Sequence, residues 1–138
     1  DWPEKAFPPS APFTICLYGA NPFEDALDDL AAHRKIKERD VRVRVVKSLP
    51  EADACQVLFI PAAQKESLER ILLATVGKPV LTVGDTEGFA ERGVLVNFYL
   101  QESNVRFEVN DAAARRSGLE ISSRLLKLAR VVNLAEPR

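Results

Sequence analysis

Three short apolar runs constrain the fold most, because each has the length of a buried strand and a segment predicted to be helical follows each of them. The runs cover residues 13–18, 56–61 and 79–83. A strand that is apolar along its whole length is covered on both faces of its sheet. Strands that alternate with helices are joined by right-handed crossovers into a mainly parallel sheet. The sequence therefore predicts an α/β fold.

The predicted helices carry apolar residues three and four positions apart, the spacing of a helix that packs one face inward. Ser48 and Glu51 have the spacing of a capping box, and Asp111 is predicted to cap a later helix. A last helix is predicted to run to Val132. The apolar stripes are formed by Phe23, Ala26, Leu27, Leu30 and Ala31, by Leu68, Ile71, Leu72 and Thr75, and by Leu125, Leu126, Leu128, Ala129 and Val132.

Two further regions have the alternating pattern of half-exposed strands. Residues 41–46 alternate valine with arginine, which predicts a strand at or near a sheet edge. Residues 94–100 and 105–109 predict a β-hairpin with an exposed second strand. In that second strand the alternation predicts that Arg106 and Glu108 point away from the core.

The first twelve residues are predicted to form an extended arm, because they contain four of the nine prolines. Trp2 and Phe7 in this arm either dock on the body of the domain or belong to an interface. Residues 13–132 are predicted to be a single domain, and residues 133–138 a tail. The chain contains no Met, so we expect a processed or trimmed product.

Charge and composition exclude several classes of function. Nineteen basic and twenty acidic side chains give a net charge of -1, which provides no bulk field for nucleic acid or an anionic membrane. No apolar run is long enough to span a bilayer. One His and two Cys are too few for a zinc site built on these residues alone. His33 lies near the end of the first predicted helix, where a cation is favourable.

A ligand crevice is predicted beyond the carboxyl ends of the parallel strands, at Asn21, Gln64 and Asp85. The sequence lacks both GxGxxG and GxxxxGK[ST] at these positions, so neither a dinucleotide nor a Walker-type phosphate site is supported. Asp85 and Glu87 fit the role of helix-start acids better than that of a metal or acid–base pair.

Cys16 lies within the first apolar run and Cys55 immediately precedes the second. The two strands are neighbours if the strand order is 2-1-3-4-5. Buried unpaired cysteines are common, so this adjacency leaves both free thiols and a disulfide open. An oxidising compartment would favour the disulfide.

Several stretches resemble the YfiR/HmsC-like family: FTICLYG followed by NPF, then CQVLFI, KPVLTVGDTEGFAERG, VNFYL and VRFEVNDAAARRSGLEISSRLLKLARVV. The resemblance covers nearly the whole chain, from Asp1 to Val132, and LTVGDTEGFA is among its most distinctive parts. It implies an α/β, Rossmann-like three-layer domain with a mainly parallel central sheet and a C-terminal hairpin strand.

Members of that family are small exported bacterial proteins, usually periplasmic, and several are encoded beside an inner-membrane diguanylate cyclase. They bind the periplasmic sensory domain of the cyclase and hold the enzyme inactive, which lowers cyclic di-GMP and biofilm formation. The resemblance implies no catalytic residue, and we expect no cofactor and no metal. It also implies a homodimer, for which the Trp2 and Phe7 arm and the strand at residues 105–109 would supply surface.

The chain departs from the family pattern in two places. The family begins with an amphipathic helix before a WP-like step, whereas only DWP remains here, so residues 1–12 are interpreted as the remnant of that helix. Some members carry a second cysteine pair, but Ala90 and Asn97 occupy that neighbourhood here. Cys16 and Cys55 resemble the pair that other members can oxidise, so the resemblance implies a disulfide between them.

The predicted partner surface comprises Arg106, Glu108, Asn110, Arg115 and Arg116, which lie in a family-specific stretch. Its alternative is a solvated face with weak surface ion pairs. Glu108→Lys is predicted to leave folding nearly intact but to weaken inhibition of the cyclase. The alternative function is a small-molecule-binding sensor that uses the crevice at Asn21, Gln64 and Asp85. An enzyme of the same fold is disfavoured, because only scattered acids are present.

Overall fold

The fold is taken from a computed structural model, which describes residues 13–19, 35, 36, 39–75, 78–119, 121 and 127–131. The predicted arm over residues 1–12, the first predicted helix, His33 and the tail over residues 133–138 lie outside the described residues.

The described strands form one sheet of eight in the order β2-β3-β1-β4-β5-β6-β7-β8. Strands β3, β1, β4, β5 and β6 are parallel, β2 and β7 are antiparallel to their neighbours β3 and β6, and β8 is parallel to β7. The strands are β1 (Phe13–Tyr18), β2 (Lys35–Ile36), β3 (Arg39–Val46), β4 (Val57–Ile60), β5 (Leu81–Gly84), β6 (Val96–Gln101), β7 (Asn104–Val109) and β8 (Arg130–Val131).

Three α-helices and two 3₁₀ helices lie within the described residues. The α-helices are α1 (Leu68–Thr75), α2 (Phe89–Arg92) and α3 (Asp111–Arg116), and the 3₁₀ helices are Leu49–Ala54 and Ala62–Ser67. Together with the sheet they confirm the predicted α/β class, a Rossmann-like three-layer fold with a mainly parallel sheet.

One face of the sheet, called here the α1 face, holds the larger hydrophobic core. Cys16, Leu58 and Ile60 lie on this face and pack in one buried cluster with Leu68 and Ile71 of α1. The stripe predicted on this helix is confirmed, because its buried residues are Leu68, Ile71, Leu72 and Thr75. The helical crossover after β4 therefore covers this face over the central strands β1 and β4.

The opposite face, called here the cleft face, carries Leu17, Phe59 and Val83 side by side in the register of β1, β4 and β5. Helix α3 packs on it beside β5, where Ala114 and Leu95 form a second buried cluster with the half-buried Leu81. The amino-terminal part of this face is therefore covered by α3.

Glu51 forms its half of the predicted capping box, because its carboxylate accepts from the Ser48 backbone N–H. The Glu51 carboxylate accepts hydrogen bonds from the Ser48 hydroxyl at 2.8 Å and from the Ser48 and Lys47 backbone N–H groups. The Ser48 hydroxyl, followed by the Lys47 backbone, lowers the pKa of Glu51 below its usual value. This contribution to stability is therefore present above the usual pKa of a glutamate and is lost as the pH falls through the lowered pKa.

Two sequence predictions about the carboxyl-terminal elements are wrong by small shifts. The cap of α3 is Asn110 rather than Asp111, because the Asn110 side chain accepts the hydrogen bond from the Ala113 N–H. Residues 130 and 131, predicted to be helical, form strand β8 beside β7. The apolar spacing of residues 125–132 predicts a helix, but it does not show where that helix ends and a strand begins.

The hairpin turn between β6 and β7 adopts an unfavourable backbone conformation for its residue types. Glu102 and Ser103 have φ values of 52° and 68°, and a two-residue turn with both values positive is of type I′, which prefers Asn-Gly. We expect Glu102→Asn together with Ser103→Gly to raise the free energy of unfolding by about 1 kcal/mol. Thermal unfolding measures this, with Asn104→Gly in the adjacent strand as the destabilising control. A lower melting temperature for the turn variant would contradict the assignment.

Candidate functional site

The carboxyl ends of β1 and β4 meet where Gly19 contacts Gln64. Gly19 has φ +87°, and the Gln64 amide occupies the space that a side chain at position 19 would need. The Gly19 N–H donates to the Val46 carbonyl at 2.8 Å, which also holds β3 at this edge. Gln64 therefore supports the end of β1 and is in contact with protein atoms.

A cleft of about 1080 Å³ opens at the same edge of the sheet, between the cleft face and the β6–β7 hairpin. Asp85, directly after β5, lines this cleft, whereas Gln64 is not among its lining residues. Asn21 lies outside the described residues. The structure therefore places Asp85 at a concave site but does not join it to Gln64 in the crevice that the sequence predicted.

The floor of the cleft is apolar and its polar groups are acidic. Leu17, Phe59 and Val83 contribute the sheet side, and the hairpin contributes Phe98, Leu100 and Val105. Four carboxylates also line it, those of Asp85, Glu87, Glu91 and Glu108. Such a surface can bind an apolar group that carries positive charge.

The ionisable side chains among the described lining residues of the cleft are those of Asp85, Glu87, Glu91, Glu108 and Tyr99. The cleft contains no described Ser, Cys, His or Lys that could act as nucleophile or base. Within the described part of the chain, no three His, Cys, Asp or Glu side chains cluster as metal ligands.

A buried polar strip lies behind the cleft on the α1 face. Asn97 is fully buried, and its amide donates to the Thr86 carbonyl at 2.9 Å and to Glu108 Oε1 at 3.5 Å. Its Oδ1 accepts from the Thr86 N–H at 3.3 Å. These bonds hold the loop that carries Asp85 and Glu87. Sequence reasoning missed this role, although an isolated Asn within the apolar VNFYL strand signals it.

Gly84 gives Asn97 and α2 room to approach β5. A methyl group at position 84 would lie 2.8 Å from Phe89 Cδ2 and 3.0 Å from Asn97 Oδ1. The absence of a side chain at this position therefore permits the close packing of β5, β6 and α2.

The prediction that Glu108 points to solvent is wrong, because its side chain is only 6% exposed. Glu108 lies opposite Asn97 on β6 and opposite Arg130 on β8 in the strand register. Alternation correctly placed Glu108 on the same face of β7 as Arg106, but at Glu108 this is the face of Asn97, where the side chain is buried. The exposed part of β7 is its beginning, where Val105 is 71% exposed.

Asn110 is also unavailable as part of a partner surface, because it is fully buried. Its Oδ1 accepts from the Ala113 N–H at 3.2 Å and its Nδ2 donates to the Ala90 carbonyl at 3.0 Å. One side chain therefore caps α3 and joins it to α2.

Truncation of this side chain tests its structural role. We expect Asn110→Ala to lower the free energy of unfolding by about 2 kcal/mol, since a helix cap and a buried hydrogen bond are lost together. Chemical denaturation measures the change, and Asn104→Ala, at an exposed position, is the matched control. Equal stability of the two variants would show that Asn110 does not join the helices.

The three arginines of the predicted partner surface are exposed but lie at different ends of the sheet. Arg106 is close to the hairpin turn, whereas Arg115 and Arg116 end α3, which follows the opposite end of β7. Arg115 forms a salt bridge with Asp111 at 2.9 Å. The structure therefore does not join them into the continuous patch that the sequence predicted.

The two cysteines form a disulfide, with Cα atoms 6.0 Å apart. Gln56 places Cys55 beside β1, because its backbone N–H donates to the Thr14 carbonyl and its side chain accepts from the Thr14 N–H at 2.7 Å. The predicted pairing is confirmed. Trp2 and Phe7, the predicted dimer residues, lie outside the described residues.

A family model described as YfiR/HmsC-like matches residues 1–130 of the chain. No curated protein matches it significantly. In the described part of the chain, the helices are too short or too polar to cross a bilayer.

Proposed function

We propose that this chain, which belongs to the YfiR/HmsC-like family, is a periplasmic, non-enzymatic regulator. It binds the sensory domain of an inner-membrane diguanylate cyclase. Binding holds the cyclase inactive and lowers cyclic di-GMP and biofilm formation. The family match over residues 1–130 is the observation that carries this proposal.

The disulfide supports the location that this function requires. Cys16 and Cys55 are buried in the main core, and disulfides persist in the bacterial periplasm but rarely in the cytosol. An oxidised pair at the centre of the domain suits a protein that folds and acts outside the inner membrane.

The composition of the cleft supports a binding role. Its described lining consists of apolar side chains, carboxylates, Gly88 and Tyr99, and interfaces use apolar and aromatic side chains as anchors. Regulation then follows from differential affinity, because a ligand shifts an equilibrium toward the state that it binds more tightly. A tenfold preference for the inactive sensory domain would lower an active fraction of about one half to about one tenth.

A cellular measurement tests the proposal. The chain is expressed with an export signal in a strain that contains an inner-membrane diguanylate cyclase with a periplasmic sensory domain, and cyclic di-GMP is quantified. We expect cyclic di-GMP to fall only when the cyclase retains its periplasmic domain. The matched control is the same chain without the export signal. Equal cyclic di-GMP with and without the exported chain would refute the proposal.

The exposed Arg106, Arg115 and Arg116 remain proposed contacts with the partner, each to be tested by reversal of its charge. Homodimer formation through the Trp2 and Phe7 arm is also a proposal. Light scattering at micromolar concentration tests it, and the mass of a monomer would contradict it.

A further inference from the structure

The tip of the β6–β7 hairpin exposes an apolar patch. Leu100 and Val105 are directly opposite each other in the strand pairing and are 73% and 71% exposed. Phe98, two residues before Leu100 on the same face, is 38% exposed. Contiguous exposed apolar side chains mark interaction sites, whereas single ones are common on any surface.

The hairpin protrudes beyond the rest of the sheet, which makes this patch accessible. Strand β5 pairs with β6 only at Val96 and Asn97, so residues 98–101 extend past its end. The patch consists of Phe98, Leu100 and Val105, and all three also line the cleft.

The charge along the cleft selects the kind of partner. Asp85, Glu87 and Glu91 are exposed and stand on the β5–α2 side of the cleft. None of the described lining residues is Lys, Arg or His, so a bound cation meets no like charge from them. A segment with apolar side chains next to basic ones is complementary to this surface.

We propose that the hairpin patch and the acidic side of the cleft are the docking site for the cyclase sensory domain. The partner inserts an apolar segment flanked by Lys or Arg. This inference rests on the proposed function and adds the surface and the partner chemistry to it. The hairpin patch lies on the opposite face of the hairpin from Arg106, because side chains alternate along β7.

The chain offers a matched pair of substitutions to test the patch. Leu100→Asp places a charge in it, and Leu73→Asp places the same charge on α1 at a side chain of nearly equal exposure, 69%. We expect Leu100→Asp to weaken binding of the purified sensory domain at least tenfold, as loss of an interface anchor does, while Leu73→Asp binds like the unchanged chain. Val105→Asp is the second variant, and thermal unfolding verifies that all three are folded.

The acidic side of the cleft has its own test. We expect Asp85→Asn with Glu91→Gln to weaken binding at low salt, and this difference to shrink as the salt concentration rises. Equal binding by this variant and the unchanged chain at low salt would contradict the proposal that Lys or Arg flanks the apolar segment of the partner.

The outcomes separate the site from the function. If the unchanged chain does not bind the sensory domain, the proposed function fails. If it binds, and Leu100→Asp and Val105→Asp bind equally well, the function stands and this docking site is wrong. Loss of self-association in Leu100→Asp without loss of partner binding would assign the patch to a second copy of the chain. If a small ligand saturates the cleft and partner binding stays unchanged, the cleft belongs to that ligand and the proposed docking site is wrong.

Discussion

Replacement of both cysteines by alanine should lower the free energy of unfolding by about 4 kcal/mol. The disulfide joins residues 39 positions apart, and a cross-link that closes a loop of this length reduces the entropy of the unfolded chain by about that amount. For a domain of this size the expected fall in melting temperature is roughly 10–15 °C.

The two sulfur atoms also fill space in the core, since Cys16 and Cys55 belong to the main buried cluster. The reduced unchanged chain separates the two effects, because it loses the bond but keeps both sulfur atoms. We expect the reduced chain to account for most of the loss. Two reactive thiols in the chain unfolded without reductant would contradict the presence of the bond.

Glu108→Lys should lower the free energy of unfolding by about 3 kcal/mol, more than any other single charge reversal in the hairpin. Glu108 lies on β7 between β6 and β8, and its side chain is nearly buried and lies 3.5 Å from the Asn97 amide. In the variant, the lysine ammonium would face the Asn97 amide, which is also a hydrogen-bond donor. A buried charge without a compensating partner costs several kcal/mol.

Arg106→Glu is the matched control, because Arg106 lies two residues earlier on the same face of β7 but is exposed. We expect its melting temperature to stay within about 2 °C of the unchanged chain. Measurement of both variants by thermal unfolding decides between the buried position and the solvent-facing position predicted from alternation. Equal melting temperatures would restore the sequence-based prediction.

The central part of the fold was predictable, because its strands are apolar over their whole length. The predicted strand at residues 13–18 is strand β1, and the predicted stripe of α1 is its buried face. The order 2-1-3-4-5, the condition under which the two cysteine strands are neighbours, is the observed order of β3, β1, β4, β5 and β6. Apolar runs predict burial directly, so no knowledge of distant contacts was needed.

Burial at the edge of the sheet was not predictable from local pattern. The alternation in β7 predicts which side chains share a face, but the burial of Glu108 depends on side chains that meet it from other strands, such as Asn97 of β6. Asn110 and Asn97 were missed for a related reason. A buried Asn is identified by the carbonyl and N–H groups that meet it, and these come from α2, α3 and the loop after β5.

The candidate site was predictable only at Asp85. The rule that ligand sites lie beyond the carboxyl ends of parallel strands placed Asp85 correctly at the cleft. The hairpin side of the cleft exists because β6 and β7 extend past the end of β5. Relative strand lengths across a sheet depend on pairing, which the sequence pattern alone does not specify.

The most direct test of the proposed function is the rate of cyclic di-GMP synthesis by the full-length cyclase in membrane vesicles. The cyclase is oriented so that its sensory domain faces the added protein. As the purified, oxidised chain is added, we predict that the rate falls to a saturating minimum. The same amount of Leu100→Asp should leave the rate higher at every concentration below saturation. A rate that stays constant while the folded, oxidised chain is raised to about 100 μM, where even a weak complex would form, would contradict the proposed inhibition.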